Sequence, residues 1–305
     1  MKIKILLIIL VLIIGCTQEI IVDRESKLPS DIIKGSPEND VSPPQLNSNE
    51  YKKPIPLPSA INTVGAEDSP FITPDGNTLY FFFTPDVRIP VEKQILDGVT
   101  GIYFSKKVNG EWQRSERIML QDTDKLAGDG CEFVKDNIMY FCTVREGYTG
   151  IHWFKADYIN KKWQDWRNAD EELKTSEYET GELHIASNEL YFHSARNGGK
   201  GGLDIWVSKL DNGIWQSPEN VKAVNSADNE GWPAISPDGN ELWISKNYGI
   251  WRSKKVNGPW QEPEQIISSL AGEASIDNAG NVYFVHHYYK DNKMIEADIY
   301  VAYKI

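Results

Sequence analysis

Carboxylates recur at one place in a repeated pattern. Glu67 and Asp68, Asp129, Glu179 and Glu182, Glu230, and Glu273 each stand a few residues ahead of an apolar run. Gathered around one mouth, such groups could hold a cation, bind a ligand, or act as an acid–base pair on a glycosidic bond. The other reading is structural, with each carboxylate accepting backbone N–H groups from a neighbouring repeat. Recurrence in every repeat favours structure, because catalysis needs positions that break the symmetry. The departures from the pattern are therefore informative. His184 stands where the first repeat has an apolar residue; His193, Arg196, Arg145 and the His286–His287 pair also lie near strand ends. Arg145 and Arg196 could hold an anion, or Arg196 could pair with Asp204 of its own repeat. Trp232 can stack on a sugar ring or pack in the interior, and both readings stay open. The candidate ligand set is Glu67, Asp68, Asp129, Arg145, Glu182, His184, Arg196, Glu230, Trp232 and Glu273.

No residue is singled out as catalytic. There is no His-x-His or His-Glu-x-x-His spacing to suggest a metal, and no Gly-x-Ser-x-Gly elbow. The Gly-rich run Gly198 to Gly202 lies between two strands rather than before a helix, so it does not read as a phosphate cradle. No cofactor is expected. Cys131 and Cys142 flank a short turn at Asp136–Asn137 and would face each other across a two-residue hairpin. They are either a cross-strand disulfide or two free thiols.

The elements that must position these groups are strands. Ser69 to Phe82 reads SPFITPDGNTLYFF and Trp232 to Ser245 reads WPAISPDGNELWIS. In each, Pro sets φ at the start of a turn and Gly accepts positive φ, so two strands are joined by Pro-Asp-Gly-Asn. The second strand recurs at Leu79, Met139, Leu190, Leu242 and Val282, at intervals of 60, 51, 52 and 40 residues. A third strand follows each, as in GIYFSKK at Gly101 and LDIWVSK at Leu203. After four of these come a turn and a Trp-Gln pair, with the indoles at Trp112, Trp163, Trp215 and Trp260 expected to pack between repeats. A polar outer strand then closes the unit. Four strands at this period predict an all-β fold, a five-bladed β-propeller with four antiparallel strands per blade. The fifth unit lacks an outer strand. Lys53 to Pro58 supplies one, because Ile61 to Glu67 aligns with Val224 to Glu230, which follows an outer strand. The N-terminal strand should therefore complete the last blade and close the ring.

The Pro-x-Ile-Ser-Pro-Asp-Gly-Asn-x-Leu-Trp motif, and His193 to Trp206 (HSARNGGKGGLDIW), resemble the TolB-like, WD-repeat-like β-propeller repeat of bacterial envelope proteins. The resemblance covers roughly residues 53 to 305. It implies an extracytoplasmic scaffold or binding protein more often than an enzyme.

The start of the chain is of another kind. Lys2 and Lys4 precede ten apolar residues, Ile5 to Ile14, then Gly15-Cys16. That run is too short to span a bilayer, which needs about 20 residues, and fits a signal peptide. Its ending resembles the lipobox of prokaryotic lipoproteins, which implies lipidation of Cys16 and a membrane-anchored, extracytoplasmic protein, periplasmic or at the cell surface. The expected organisation is a signal peptide over 1–15, a flexible lipid-attached tether over 16–50, and a propeller over 51–305. A net charge of −12 argues against nucleic acid. The reading placed first is a monomeric, non-catalytic scaffold that binds an envelope protein or glycan and touches membrane only through its lipid. The alternative is a glycan-active enzyme, hydrolase or lyase, using carboxylates such as Glu67 and Glu230.

Overall fold

Each Pro-Asp-Gly-Asn segment closes a hairpin through its own side chains. Asp75 accepts from the Thr73 hydroxyl and the Asn77 N–H, and Gly76 takes φ +71°. Asp238 repeats these bonds with Ser236 and Asn240, and Gly239 takes φ +74°. The turn is thus a hydrogen-bonded knot that only Gly can finish without strain.

The computed structural model describes residues 22–122, 124–175 and 180–305, and it is all-β. Each expected repeat forms an antiparallel unit. The first holds Ala66–Ile72, Thr78–Thr84 and Gly101–Val108, with Glu111–Trp112 and Glu116–Arg117 outside. The second holds Ala127–Lys135, Ile138–Arg145, His152–Ile159 and Lys162–Asn168. The third runs from Leu183–Ala186 through Glu189–Ser194 to Asp204–Asp211, and the fourth from Gly231–Ile235 to Glu264–Ser268. The fifth contains Ala271–Ile276, Val282–Lys290 and Lys293–Ala302. Its fourth strand is the N-terminal Ile55–Pro56, paired with Val301 and Tyr300. A single parallel bridge, Ala297 to Ala66, joins the fifth unit to the first.

The core lies between units rather than within them, because each sheet is apolar on both faces. Met139, Phe141 and Phe154 of the second unit meet Tyr80 and Ile102 of the first. Similar clusters join the second unit to the third, the third to the fourth, and the fourth to the fifth. A fifth cluster returns from Tyr283 and Ile299 to Phe81 and Phe83 of the first. The repeated Trp residues pack backwards onto the preceding unit. Trp260 donates its N–H to the Tyr191 hydroxyl (3.3 Å), and Trp163 lies edge-on to Tyr80. The alignment of residues 61–67 with 224–230 holds in atomic detail. Asn62 accepts the Ile299 N–H as Asn225 accepts that of Ile205.

Residues 22–50 depart from the expected tether. Arg24 is 3% exposed and reaches Glu67, while Lys34 pairs with the buried Glu296 and Asp298. Asp40 meets the buried His286 (2.7 Å), and Gln45–Leu46 adds a strand to the fourth unit beside Glu264–Ser268. The segment is polar and without periodicity, yet a few charged side chains fill acidic pits in the domain and so order it. The signal-peptide and lipidation readings, Cys16 included, fall on residues 1–21, outside the described residues.

Candidate functional site

The inner strands do not run straight. Pairing in the first unit slips between Asp68 and Phe71, in the second between Gly130 and Phe133, in the fourth between Gly231 and Ala234, and in the fifth between Gly272 and Ser275. Each slip is a β-bulge whose extra residue has positive φ: Ser69, Cys131, Trp232 and Glu273, at +47° to +56°. Non-Gly residues in this region mark strain held by surroundings, and bulges re-aim side chains. Glu182 occupies the corresponding place just ahead of the third unit's inner strand. These side chains, with Glu132 and His184, line one cavity of about 40 Å³, room for a few waters.

Three carboxylates, Glu132, Glu182 and Glu273, line it, and Asp68 adjoins them through Ser69. The Ser69 N–H donates to Glu273 Oε2 (2.9 Å) and to Asp68 Oδ1 (3.0 Å). The Ser69 hydroxyl lies 3.0 Å from Glu182 Oε1 and 3.1 Å from Glu273 Oε2. Burial, then the negative charge of Asp68, pushes Glu182 up to about 8, against hydrogen bonds from Ser69 and Trp232. The same causes, with the Glu182 charge added, raise Glu273 well above the carboxylate range. Glu132 is 4% exposed, and neither of its carboxyl oxygens has a hydrogen-bond partner. Burial, with Glu182 and Asp68 nearby, raises it strongly. The site therefore holds protons at neutral pH. His184 accepts the Ile235 N–H at Nδ1 (2.7 Å) and is pushed down to about 4 by burial, so its ring is neutral. His193 accepts the Trp232 N–H (3.0 Å) and packs on the Trp232 ring, fixing that bulge.

The structure separates the expected ligand set into two groups. Asp68, Glu182, His184, Trp232 and Glu273 come together around the cavity. Glu67, Asp129, Glu230, Arg145 and Arg196 do not. Glu67 is fully buried and bound by the Thr63 N–H, the Thr63 hydroxyl and Arg24. Glu230 repeats this with Ser226 and Lys246. Asp129 takes the Thr143 hydroxyl and Arg145 (2.8 Å), whose guanidinium stacks over Phe154. These are ties between strands, with their bonding capacity filled from inside. Arg196 lies over Phe192 and Trp206, while Asp204 accepts N–H groups of Lys200 and Gly201 in the Gly-rich loop. Glu179 lies outside the described residues. Cys131 and Cys142 are joined, with Cα atoms 5.3 Å apart. They are not directly opposed, because the bulge sets Gly130, not Cys131, across from Cys142.

Sequence reasoning missed Glu132. Its signal is an acid where the other units carry Pro70, Leu183, Pro233 and Ala274. It also missed a second, open cavity of about 430 Å³ that shares Trp232 and Glu273 with the first and continues over Tyr248, His287 and Tyr289.

No family model matches the chain, and no curated protein matches it in sequence. Solved structures do resemble it. An endo-arabinase from Bacteroides thetaiotaomicron is 15% identical, with a TM-score of 0.50, over 82% of this chain and 96% of that one. A Bacillus subtilis arabinanase, Arb43A, is 13% identical (TM-score 0.44, 77% and 94% covered). The Bacteroides ovatus xyloglucan-locus protein GH43B is 15% identical (TM-score 0.45) over 82% of this chain; the chain spans 54% of its length. Likeness at this identity speaks for the fold. Of the two functional readings, the scaffold placed first is corrected. The likeness that reaches a TM-score of 0.50 is to an endo-arabinase, which favours the alternative, glycan-active reading, and that reading is taken up as a proposal below.

Proposed function

We propose that the chain is a five-bladed β-propeller that hydrolyses glycosidic bonds at the axial carboxylates. The blade count is supported by five inter-unit core clusters that return to their start, by the N-terminal strand in the last unit, and by likeness to the endo-arabinase fold. The observation that carries the activity is the convergence of Glu132, Glu182 and Glu273 in one small cavity, with Asp68 beside them on the Ser69 N–H and protons retained at neutral pH. Glycoside hydrolysis needs one protonated carboxyl to give its proton to the leaving oxygen and one ionised carboxylate to activate water or attack the sugar. Glu182 fits the acid: it is half-buried, lines the cavity and is raised to about 8. Asp68 fits the partner carboxylate, positioned by the Ser69 N–H. Burial, and then the Asp68 charge, hold the acid's proton.

Arabinan and xylan oligosaccharides are the first substrates to test, with reducing ends or released sugars measured against time. Glu182→Gln and Asp68→Asn should each abolish release while leaving a folded protein. In the same proposal, Cys16 carries lipid and holds the enzyme outside the cytoplasm, which metabolic labelling with a fatty acid and a Cys16→Ala control would test.

A further inference from the structure

The axial cavity, at about 40 Å³, is too small for a sugar ring, so substrate must lie outside it and present one bond to the carboxylates. The open cavity of about 430 Å³ is the place where it can do so, because Trp232 and Glu273 belong to both. Its walls are aromatic and amide. Trp232, Tyr248 and Tyr289 offer rings, and Asn229 and Asn247 offer hydrogen-bonding edges. Sugars have apolar C–H faces and hydroxyl rims, which match this mixture.

Tyr248 is the least expected of these residues. Asn247 and Tyr248 form a two-residue hairpin turn between Lys246 and Gly249, both with positive φ (+50° and +55°). The second position of such a turn favours Gly, as in Asn109-Gly110 and Asn212-Gly213 of this chain. A tyrosine here is strained, contributes nothing to the core, and is 68% exposed. Its carbonyl accepts the Ala271 N–H (3.1 Å), so the fifth unit's inner strand holds the turn in place beside the cavity. Tyr289, 38% exposed, lines the same cavity.

The charge around the cavity selects among glycans. Lys246, its one lining cation, is engaged by Glu230, Asp228 and the Ser226 hydroxyl. Glu273 stands at the inner end, and the chain carries −12 overall. A uronic or sialic acid would find no unengaged lysine or arginine among the described lining residues, within a chain of net negative charge.

We infer that the cavity over Trp232, Tyr248 and Tyr289 is the binding subsite for an uncharged glycan chain, with Tyr248 as its outer stacking platform. This rests on the hydrolase reading above. The test separates binding from turnover. Binding of a neutral xylo- or arabino-oligosaccharide and of an oligogalacturonide is measured by calorimetry on wild type, Tyr248→Ala, Tyr248→Gly and Glu182→Gln, with hydrolysis measured in parallel. The expected result is binding of the neutral ligand alone, retained in Glu182→Gln and weakened at least fivefold in both Tyr248 variants. KM should rise in those variants while kcat changes little. Tyr248→Gly relaxes the turn, so loss of affinity there is loss of the ring and not of the fold. Unchanged affinity and KM in both Tyr248 variants, or equal binding of the oligogalacturonide, overturns the inference. Binding lost with Tyr248 but no turnover by wild type overturns the hydrolase reading and supports the subsite. Absence of both binding and turnover overturns both.

Discussion

Glu182 and Glu273 share the hydroxyl of Ser69, whose Oγ lies 3.0 Å from one carboxylate and 3.1 Å from the other. A hydroxyl has one hydrogen. Both contacts are hydrogen bonds only when one glutamate is protonated and donates to Oγ. Ser69 is thus the group through which the two carboxyls divide a proton. It sits at a bulge with φ +47°, a backbone state kept for position rather than stability.

Removing that bridge should be visible in the pH dependence of turnover. Ser69→Ala should lower kcat by about tenfold, within the range of one acid–base positioning contact. It should also raise the upper limb of the pH–rate profile, because the Ser69 hydroxyl holds the Glu182 pKa down. A profile unmoved in Ser69→Ala would detach Ser69 from the acid.

Glu182 should also make the protein less stable as pH rises. Its native pKa, about 8, is above the ordinary 4.5, so the folded state binds the proton more tightly. The contribution to stability is fully present below about 4.5 and is lost as pH rises through about 8. Glu182→Gln cannot lose it. The melting temperature of Glu182→Gln relative to wild type should therefore increase between pH 5 and pH 8, by several degrees. A constant difference across that window would remove Glu182 as a buried acid.

The segment 22–50 should behave as part of the domain. Arg24 and Glu67 are both buried, and Arg24 also lies over the rings of Phe83 and Tyr103. Arg24→Ala strands the carboxylate and should destabilise by about 3 kcal/mol in chemical denaturation, with Arg24→Ala/Glu67→Gln recovering part of it. An unchanged midpoint would return this segment to the role of a tether.

The disulfide should couple stability to activity. It closes a short loop of sequence separation 11 and ends one residue before Glu132. Reduction, or Cys142→Ser, should lower stability by about 2–3 kcal/mol. It should also lower turnover by freeing the bulge that aims Glu132, and reoxidation should restore both. Full activity in the reduced protein would make the bridge structural alone.

The repeat was readable because its signals are local. Pro-Asp-Gly-Asn, Asn-Gly and Trp-Gln each act within a few residues, and the alignment of Asn62 with Asn225 assigns the N-terminal strand to the last unit, as its pairing with Val301 and Tyr300 does. Half of the expected set, Asp68, Glu182, His184, Trp232 and Glu273, belongs to the site, while the recurring acids Glu67, Asp129 and Glu230 stand two residues ahead of the bulges at Ser69, Cys131 and Trp232. Glu67, Asp129 and Glu230 caught attention by recurrence, and they recur because each ties strands together. The cavity is lined instead by the bulge positions, where Ser69, Cys131, Glu182, Trp232 and Glu273 differ from unit to unit. A bulge leaves no composition signal, so Glu132 was hidden behind Cys131. Residues 22–50 were misread because a few buried ion pairs, and not apolar periodicity, fasten them to the domain.

The most direct measurement is release of sugar from arabinan and xylan oligosaccharides by wild type, Glu182→Gln and Asp68→Asn under identical conditions. The account predicts steady release by wild type and a fall of at least a hundredfold in each variant, with melting curves that remain cooperative. Release that persists in both variants, or none by wild type across neutral glycans that bind it, would contradict the assignment of catalysis to the axial carboxylates.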